Sequence, residues 1–294
     1  MSAIEEEPSG LPEPVKVLIT MHDKMDLLDF AGPLEAFSHA KHDPKNPEST
    51  AFKIVFAGPS EHVVTAQGAS LRAHMDYNDA MKQLANFDIL VVPGGGSEGV
   101  LQSKGQPLTI IKAFTELQKK NPSRERTLMS VCTGSLFLAE TGVLAGLSAT
   151  THPDYLAKFE NILSNVAQRD MTDRTDVVEE RFVVNNLRFE LGQDEESNPY
   201  IRRKSDATSG RRPSNARKGS MSWKASNSRR ESILKRMNLR LGGLRVLTTS
   251  GVSSGIDGAL YLVGAYVSDK SAEEVARVMC YEWKKGMVVD GTDV

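Results

Sequence analysis

The sequence is poor in cysteine and has no long apolar run, and each shortage narrows what the chain can be. Only Cys132 and Cys280 occur in 294 residues, too few for a disulfide framework. No stretch approaches the ~20 apolar residues that span a bilayer. The opening MSAIEEEPSGLPEP is acidic and proline-rich, without the apolar core of a signal peptide. A cytoplasmic protein with no membrane contact and reduced thiols is therefore expected. The six histidines form no metal-binding pattern: His39 and His42 are three apart but lack a thiolate or a third ligand, so no metal is expected.

What is present is a globular composition, 39% hydrophobic, enough for one large domain or two small ones. Short strand-like runs alternate with helix-like spacing: Val15 to Thr20, Leu27 to Ala40, Phe52 to Ala57, Asn78 to Asn86, Asp88 to Val92, Pro107 to Lys120, and Thr127 to Val131. Continuous apolar strands alternating with helices predict a doubly wound, mostly parallel α/β sheet sandwiched by helices. Sites in such sheets form beyond the carboxyl ends of the strands. Three loops qualify: 21 to 29, 93 to 99 and 132 to 134.

Periodicity is lost between 190 and 243. Residues 201 to 240 carry 13 Lys and Arg against Asp206 and Glu231, a net +11 within a chain of net −2, so the remainder carries −13. This Ser/Arg-rich stretch is expected to be a disordered insertion. Its extra loop length costs only about 2 to 3 kcal/mol of closure entropy. On either side, Arg181 to Val184 and Arg245 to Thr249 are expected to pair as strands through an Asn185-Asn186 turn. Helices are expected over Ser253 to Val267 and Ala272 to Trp283. The domain is thus drawn over 15 to 189 and 244 to 285, between tails at 1 to 14 and 286 to 294. Within the insertion, Ser205, Ser214 and Ser232 each follow an Arg-Arg pair, the pattern of a basophilic kinase substrate, and phosphates there would offset the local charge. A solvated linker without a regulatory role is the competing reading. Nucleic-acid binding through the same charges is not expected to be the chain's function.

Cys132 stands where the apolar run Thr127 to Val131 turns into a helix-like segment, a placement suited to a thiolate nucleophile beside helix-start amides. Cys280 falls in an amphipathic pattern and is expected to pack. Gly94-Gly95-Gly96-Ser97-Glu98-Gly99 formally matches a dinucleotide fingerprint, but it comes late in the chain and lacks the acid at a following strand end, so no cofactor is expected. Gly94 and Gly95 read better as bare amides forming an oxyanion pocket beside Cys132. Asp29 either caps the helix after it or handles the thiol proton, with Asp26 as the fallback. His152, in Ala149-Thr150-Thr151-His152, lines the pocket or forms a surface cap.

Together, Asp29-x-x-Gly-Pro, Val92-Pro93-Gly94-Gly95, Val131-Cys132-Thr133-Gly134, Ala149-Thr-Thr-His152 and Thr249-Ser-Gly-Val-Ser-Ser-Gly-Ile-Asp257 resemble the ThiJ/PfpI family of the class I glutamine amidotransferase-like superfamily. The resemblance is closest to its isonitrile hydratase branch. It implies a single flavodoxin-like domain, a homodimer acting on a small molecule, Cys132 as nucleophile, Asp29 as its acid partner and Thr133 as a site residue. Gly94 and Gly95 are implied pocket amides. The expected reaction is hydration of an isonitrile, a lyase activity, and a stress-protective or redox-sensing thiol is the alternative. Amidotransferases carry a glycine where Ser130 stands and a later His-x-Glu that is missing here. Protease-like and glyoxalase-like relatives carry histidine where Thr133 stands. Related regulators append a DNA-binding module, for which no room is expected after Cys280.

Overall fold

The computed structural model describes residues 12–185, 201–203 and 240–289. In chain order the elements are β1 (Val15–Thr20), α1 (Leu27–His39), β2 (Phe52–Gly58), β3 (His62–Val64), β4 (Ser70–Arg72), β5 (Met75–Asp76), α2 (Tyr77–Gln83), β6 (Ile89–Val92), α3 (Ser97–Ser103), α4 (Leu108–Lys120), β7 (Thr127–Ser130) and α5 (Gly134–Glu140). There follow β8 (Ser148–Ala149), α6 (Leu156–Asp170), β9 (Asp176–Val177), β10 (Phe182–Asn185), β11 (Ile201–Arg203), β12 (Arg245–Thr249), α7 (Ser254–Tyr266), α8 (Asp269–Val278) and β13 (Gly286–Val289).

The main sheet has the order β11-β13-β10-β12-β7-β6-β1-β2-β5. The six strands from β12 to β5 are mutually parallel. β10 runs antiparallel to β12, and β13 and β11 are parallel to β10. Strands β6 and β7 are buried at every residue, as a sheet covered on both faces requires. Each face has its own core. One joins Phe30 and Phe37 of α1 to Leu260 of α7 and Val275 of α8. The other joins Tyr77 of α2, Phe114 of α4, Phe137 of α5 and Phe159 of α6. This is the doubly wound architecture expected from the alternation of segments.

Three segment boundaries shift. The segment after 285 is not wholly a tail: Met287, Val288 and Val289 are buried in β13, between β10 and β11. Pieces of the stretch drawn as an insertion join the fold, since 201–203 pairs with β13 and the Gly242 carbonyl accepts a hydrogen bond from Gln118 Nε2. Asn185 ends β10 instead of forming a turn. Its buried amide clasps Ser148, accepting from the backbone N at 3.0 Å and donating to the carbonyl at 2.6 Å, and a buried amide needs such partners. Ser205, Ser214 and Ser232 lie outside the described residues.

At the carboxyl edge, the loops after β12, β7, β6 and β1 lie side by side because their strands do. That adjacency brings distant motifs to one place.

Candidate active site

The turn after β7 carries the thiol. Cys132 has φ +55°, a left-handed conformation that costs a non-glycine residue roughly 1–2 kcal/mol. The next residues enter α5, and Gly134 N–H donates to the Val131 carbonyl at 2.8 Å. Only glycine fits at 134, where a Cβ would sit 2.3 Å from the Val92 carbonyl oxygen. The Cys132 side chain is nearly closed off, at 5% exposure.

α1 supplies the carboxyl. Asp26 is its N-cap, accepting from Leu28 N at 3.1 Å, and it also accepts from Gln67 Nε2 at 2.9 Å. Asp26, not Asp29, therefore caps the helix, and Asp29 lies within it, fully buried. Asp29 Oδ2 accepts the Gly94 N–H at 2.9 Å, while Oδ1 has no conventional donor. The Cys132 thiol is a hydrogen-bond partner of the same carboxyl. Burial, reinforced by the nearby Asp26 charge, pushes Asp29 up to about 7 against the opposing bonds from Gly94 and Cys132. Burial and the Asp29 charge likewise push the thiol far above its ordinary value, outweighing the Thr133 N–H that favours the thiolate. The resting thiolate expected from the helix-start placement is therefore corrected. Desolvation beside a carboxyl overrides one backbone amide.

A second correction concerns Gly94 and Gly95, whose amides are not bare. Gly94 N–H is held by Asp29, and Gly95 N–H donates to Thr133 Oγ1 at 2.9 Å. The glycine strap instead fixes the two side chains that flank the thiol. It is laced to the first loop on the other side, with Asp26 N–H donating to the Gly94 carbonyl at 2.9 Å and His22 Nε2 meeting the Gly95 carbonyl at 2.8 Å. Thr133 Oγ1 already accepts from Gly95, which leaves its own proton to donate. Thr133 also bounds a cleft of about 570 Å³, shared with His22, Asp23, Gly95, Ser97 and Tyr155.

His22 also belongs to the site, although no sequence motif marks it. It is 4% exposed, sits edge-on to Phe137 at 5.3 Å between ring centroids, and is held below its ordinary pKa by burial. Its place directly after β1, in a loop already singled out, is the signal that could have found it. The first loop is also pinned by Tyr77, whose hydroxyl donates to the Met21 carbonyl. Tyr77→Phe removes that donor and should lower stability by about 1 to 2 kcal/mol. Urea unfolding checks this, and a variant as stable as the parent would contradict it.

His152 belongs to the surface. Its Nδ1 accepts the Asp154 N–H at 3.2 Å and its ring packs on Tyr155, so it caps the short 3₁₀ turn Pro153–Tyr155. It does not line the cleft. Asp257, the end of the last motif, is saturated by Arg181 Nε at 2.6 Å, the Tyr281 hydroxyl at 3.0 Å and Lys284 N at 2.7 Å. It ties α7 to the chain around β10 and carries no free chemistry. Among the described residues no group of three or more His, Cys, Asp or Glu side chains could hold a metal, and no helix is long and apolar enough to cross a membrane.

Comparison with known proteins agrees with this architecture. Isonitrile hydratase of Pseudomonas putida is 33% identical over 93 residues, 32% of this chain and 36% of that enzyme. A putative cysteine protease of Bacillus subtilis, YraA, is 23% identical over 166 residues, 56% of this chain and 88% of that protein. Drosophila melanogaster DJ-1beta superposes with a TM-score of 0.55 at 14% identity, covering 92% of this chain and all of that one, a likeness of fold alone. The DJ-1/PfpI family profile spans residues 15–186, from β1 through the thiol turn to β10, and the chain belongs to that family.

Proposed function

We propose that the chain is a cysteine-dependent isonitrile hydratase-like enzyme, adding water to R–NC to give the formamide R–NH–CHO. The observation that carries this reading is the buried pairing of Asp29 with Cys132, in which a carboxyl titrating near neutrality is the proton acceptor for a thiol that rests protonated. As Sγ bonds to the terminal carbon, Asp29 takes the thiol proton and returns it to that same carbon, giving the thioimidate R–N=CH–S–Cys132. Water then adds, its hydroxyl to carbon and its proton to nitrogen. The hydroxyl proton passes to sulfur as the C–S bond breaks, which releases the formamide and restores the thiol. Thr133, with its own proton free, donates to the nitrogen or oxygen on which charge develops.

Shape supports the same choice. An isonitrile is a linear rod tipped by its electrophilic carbon, and it suits a sulfur that is only 5% exposed. A peptide bond or a glutamine side chain must bring a planar carbonyl to the nucleophile, and the general base available here is a carboxyl, not an imidazole. The homodimer implied by the family resemblance belongs to the same proposal. The raised thiol argues against a peroxide sensor, which needs a low-pKa, accessible cysteine.

The test is a panel of an alkyl isonitrile, methylglyoxal and glutamine, followed by proton NMR of the products. Formamide from the isonitrile alone is the expected result. Turnover of methylglyoxal with no formamide would move the chain to the carbonyl-scavenging class.

A further inference from the structure

A nucleophile held at positive φ persists only where its surroundings over-determine that conformation. At Cys132 the restraint falls on the carbonyl oxygen. Ser135 Oγ lies 3.0 Å from it and Ser135 N 3.4 Å. Thr151 Oγ1, from the loop after β8, lies at 3.4 Å, and the two hydroxyls meet each other at 2.7 Å. Two hydroxyl protons thus serve three contacts in a closed triangle. Ser135 and Thr151 are 0% and 1% exposed, so water does not compete for those bonds. The triangle is also anchored from outside the turn. Neighbouring Thr150 donates its N–H to Thr248 Oγ1 at 3.0 Å and its hydroxyl to the Glu180 carbonyl at 3.2 Å, which fastens the loop to β12 and to the segment entering β10.

We infer that Thr151 and Ser135 form a hydroxyl clamp on the Cys132 carbonyl that holds the thiol in its reactive pose, making both of them positioning residues. In the Ala149-Thr150-Thr151-His152 motif the two threonines are then the working members, while the histidine caps a turn. Without the clamp, the left-handed turn keeps only the Ser135 N–H on the Cys132 carbonyl and the Gly134 N–H on Val131, a weaker restraint that lets Sγ shift relative to Asp29 and Thr133. The inference rests on Cys132 being the reactive thiol of the proposed function, but its test does not depend on the substrate.

The experiment measures alkylation of Cys132 by iodoacetamide across pH, located by peptide mass spectrometry, in the parent, Thr151→Val, Thr151→Ser and Ser135→Ala proteins. Loss of one neutral hydrogen bond predicts a rate about three- to tenfold lower in Thr151→Val and in Ser135→Ala. Thr151→Ser, which keeps the hydroxyl, should return to within about twofold of the parent. A rate constant lowered by the same factor at every pH, with its rise against pH unchanged, is the signature of misplacement, as distinct from altered ionisation. Should Thr151→Val fail to fold, Ser135→Ala, a loss of one oxygen, carries the test alone. The clamp is overturned if the folded variants lose only melting temperature while alkylating at the parent rate, or if Thr151→Ser behaves like Thr151→Val. Failure of isonitrile turnover with an intact alkylation response sinks the hydratase reading and leaves the clamp standing.

Discussion

Asp29→Asn is expected to lower isonitrile turnover by roughly 100- to 10,000-fold, the range for loss of a placed proton-transfer group, and Cys132→Ser to leave none. The amide keeps an oxygen for the Gly94 N–H, so the backbone around it has no reason to move. What disappears is the group that can take the thiol proton. The parent should gain activity as pH rises through about 7, where the Asp29 carboxyl ionises, and that limb should be missing from what activity Asp29→Asn retains. Stability moves the other way. Between 3.8, its ordinary value, and about 7, its folded value, the folded protein holds a proton on Asp29 that the unfolded chain has already lost. Stability therefore falls as pH rises across that window. Asparagine has no such slope, so the melting temperature of the variant should gain on the parent from pH 5 to pH 8. Parallel melting curves across that range, or a parent-like rate in Asp29→Asn, would show that Asp29 is a spectator.

Much of this arrangement is legible without coordinates because the strand ends announce themselves. The runs ending at Thr20, Val92 and Val131 are short and apolar, and parallel pairing of those strands sets their loops side by side. Cys132 and Asp29 follow from that adjacency. The state of the thiol does not. A pKa reflects the balance of burial, neighbouring charge and hydrogen bonds, and sequence spacing reveals the helix-start amide but not the depth of the sulfur. The roles of Gly94 and Gly95 are hidden for a related reason, since a backbone N–H counts as bare only after every acceptor around it is known. His152 misleads because an imidazole in a motif attracts a chemical role, although a histidine before Pro153 can as well end as a cap. α6 does carry a readable stripe, with Phe159, Leu163 and Val166 buried at helical spacing, but its charged residues obscure it. β13 is four residues long and becomes a strand only because β10 offers it an edge, which is a tertiary effect.

Gly94→Ala is expected to disable the site through geometry alone, without touching a reacting group. A Cβ at 94 would lie 2.6 Å from both the Thr133 nitrogen and Thr133 Oγ1, and 2.7 Å from the Gly134 nitrogen. Two of those three atoms belong to backbone at the start of α5 and cannot rotate aside. Either the strap or the thiol turn must move by several tenths of an ångström or more. Any such shift stretches the Gly94 N–H bond to Asp29 and the Gly95 N–H bond to Thr133 together, because adjacent residues of one strap make them. Displacements on the 1 Å scale at a reacting centre lower rates about 100-fold, and overpacking of a tight site destabilises by about 1 to 3 kcal/mol. Gly94→Ala should therefore fold, melt a few degrees early, and turn over isonitrile about 100-fold more slowly. The Asp29-dependent limb of the pH profile should also move, because a carboxyl that loses its amide donor is driven further above its ordinary value. Serine at 94 should do no better, since the same Cβ is present. A Gly94→Ala protein with the parent rate and pH profile would mean that the strap is free to yield, and the pairing of Asp29 with Cys132 would then owe nothing to Gly94.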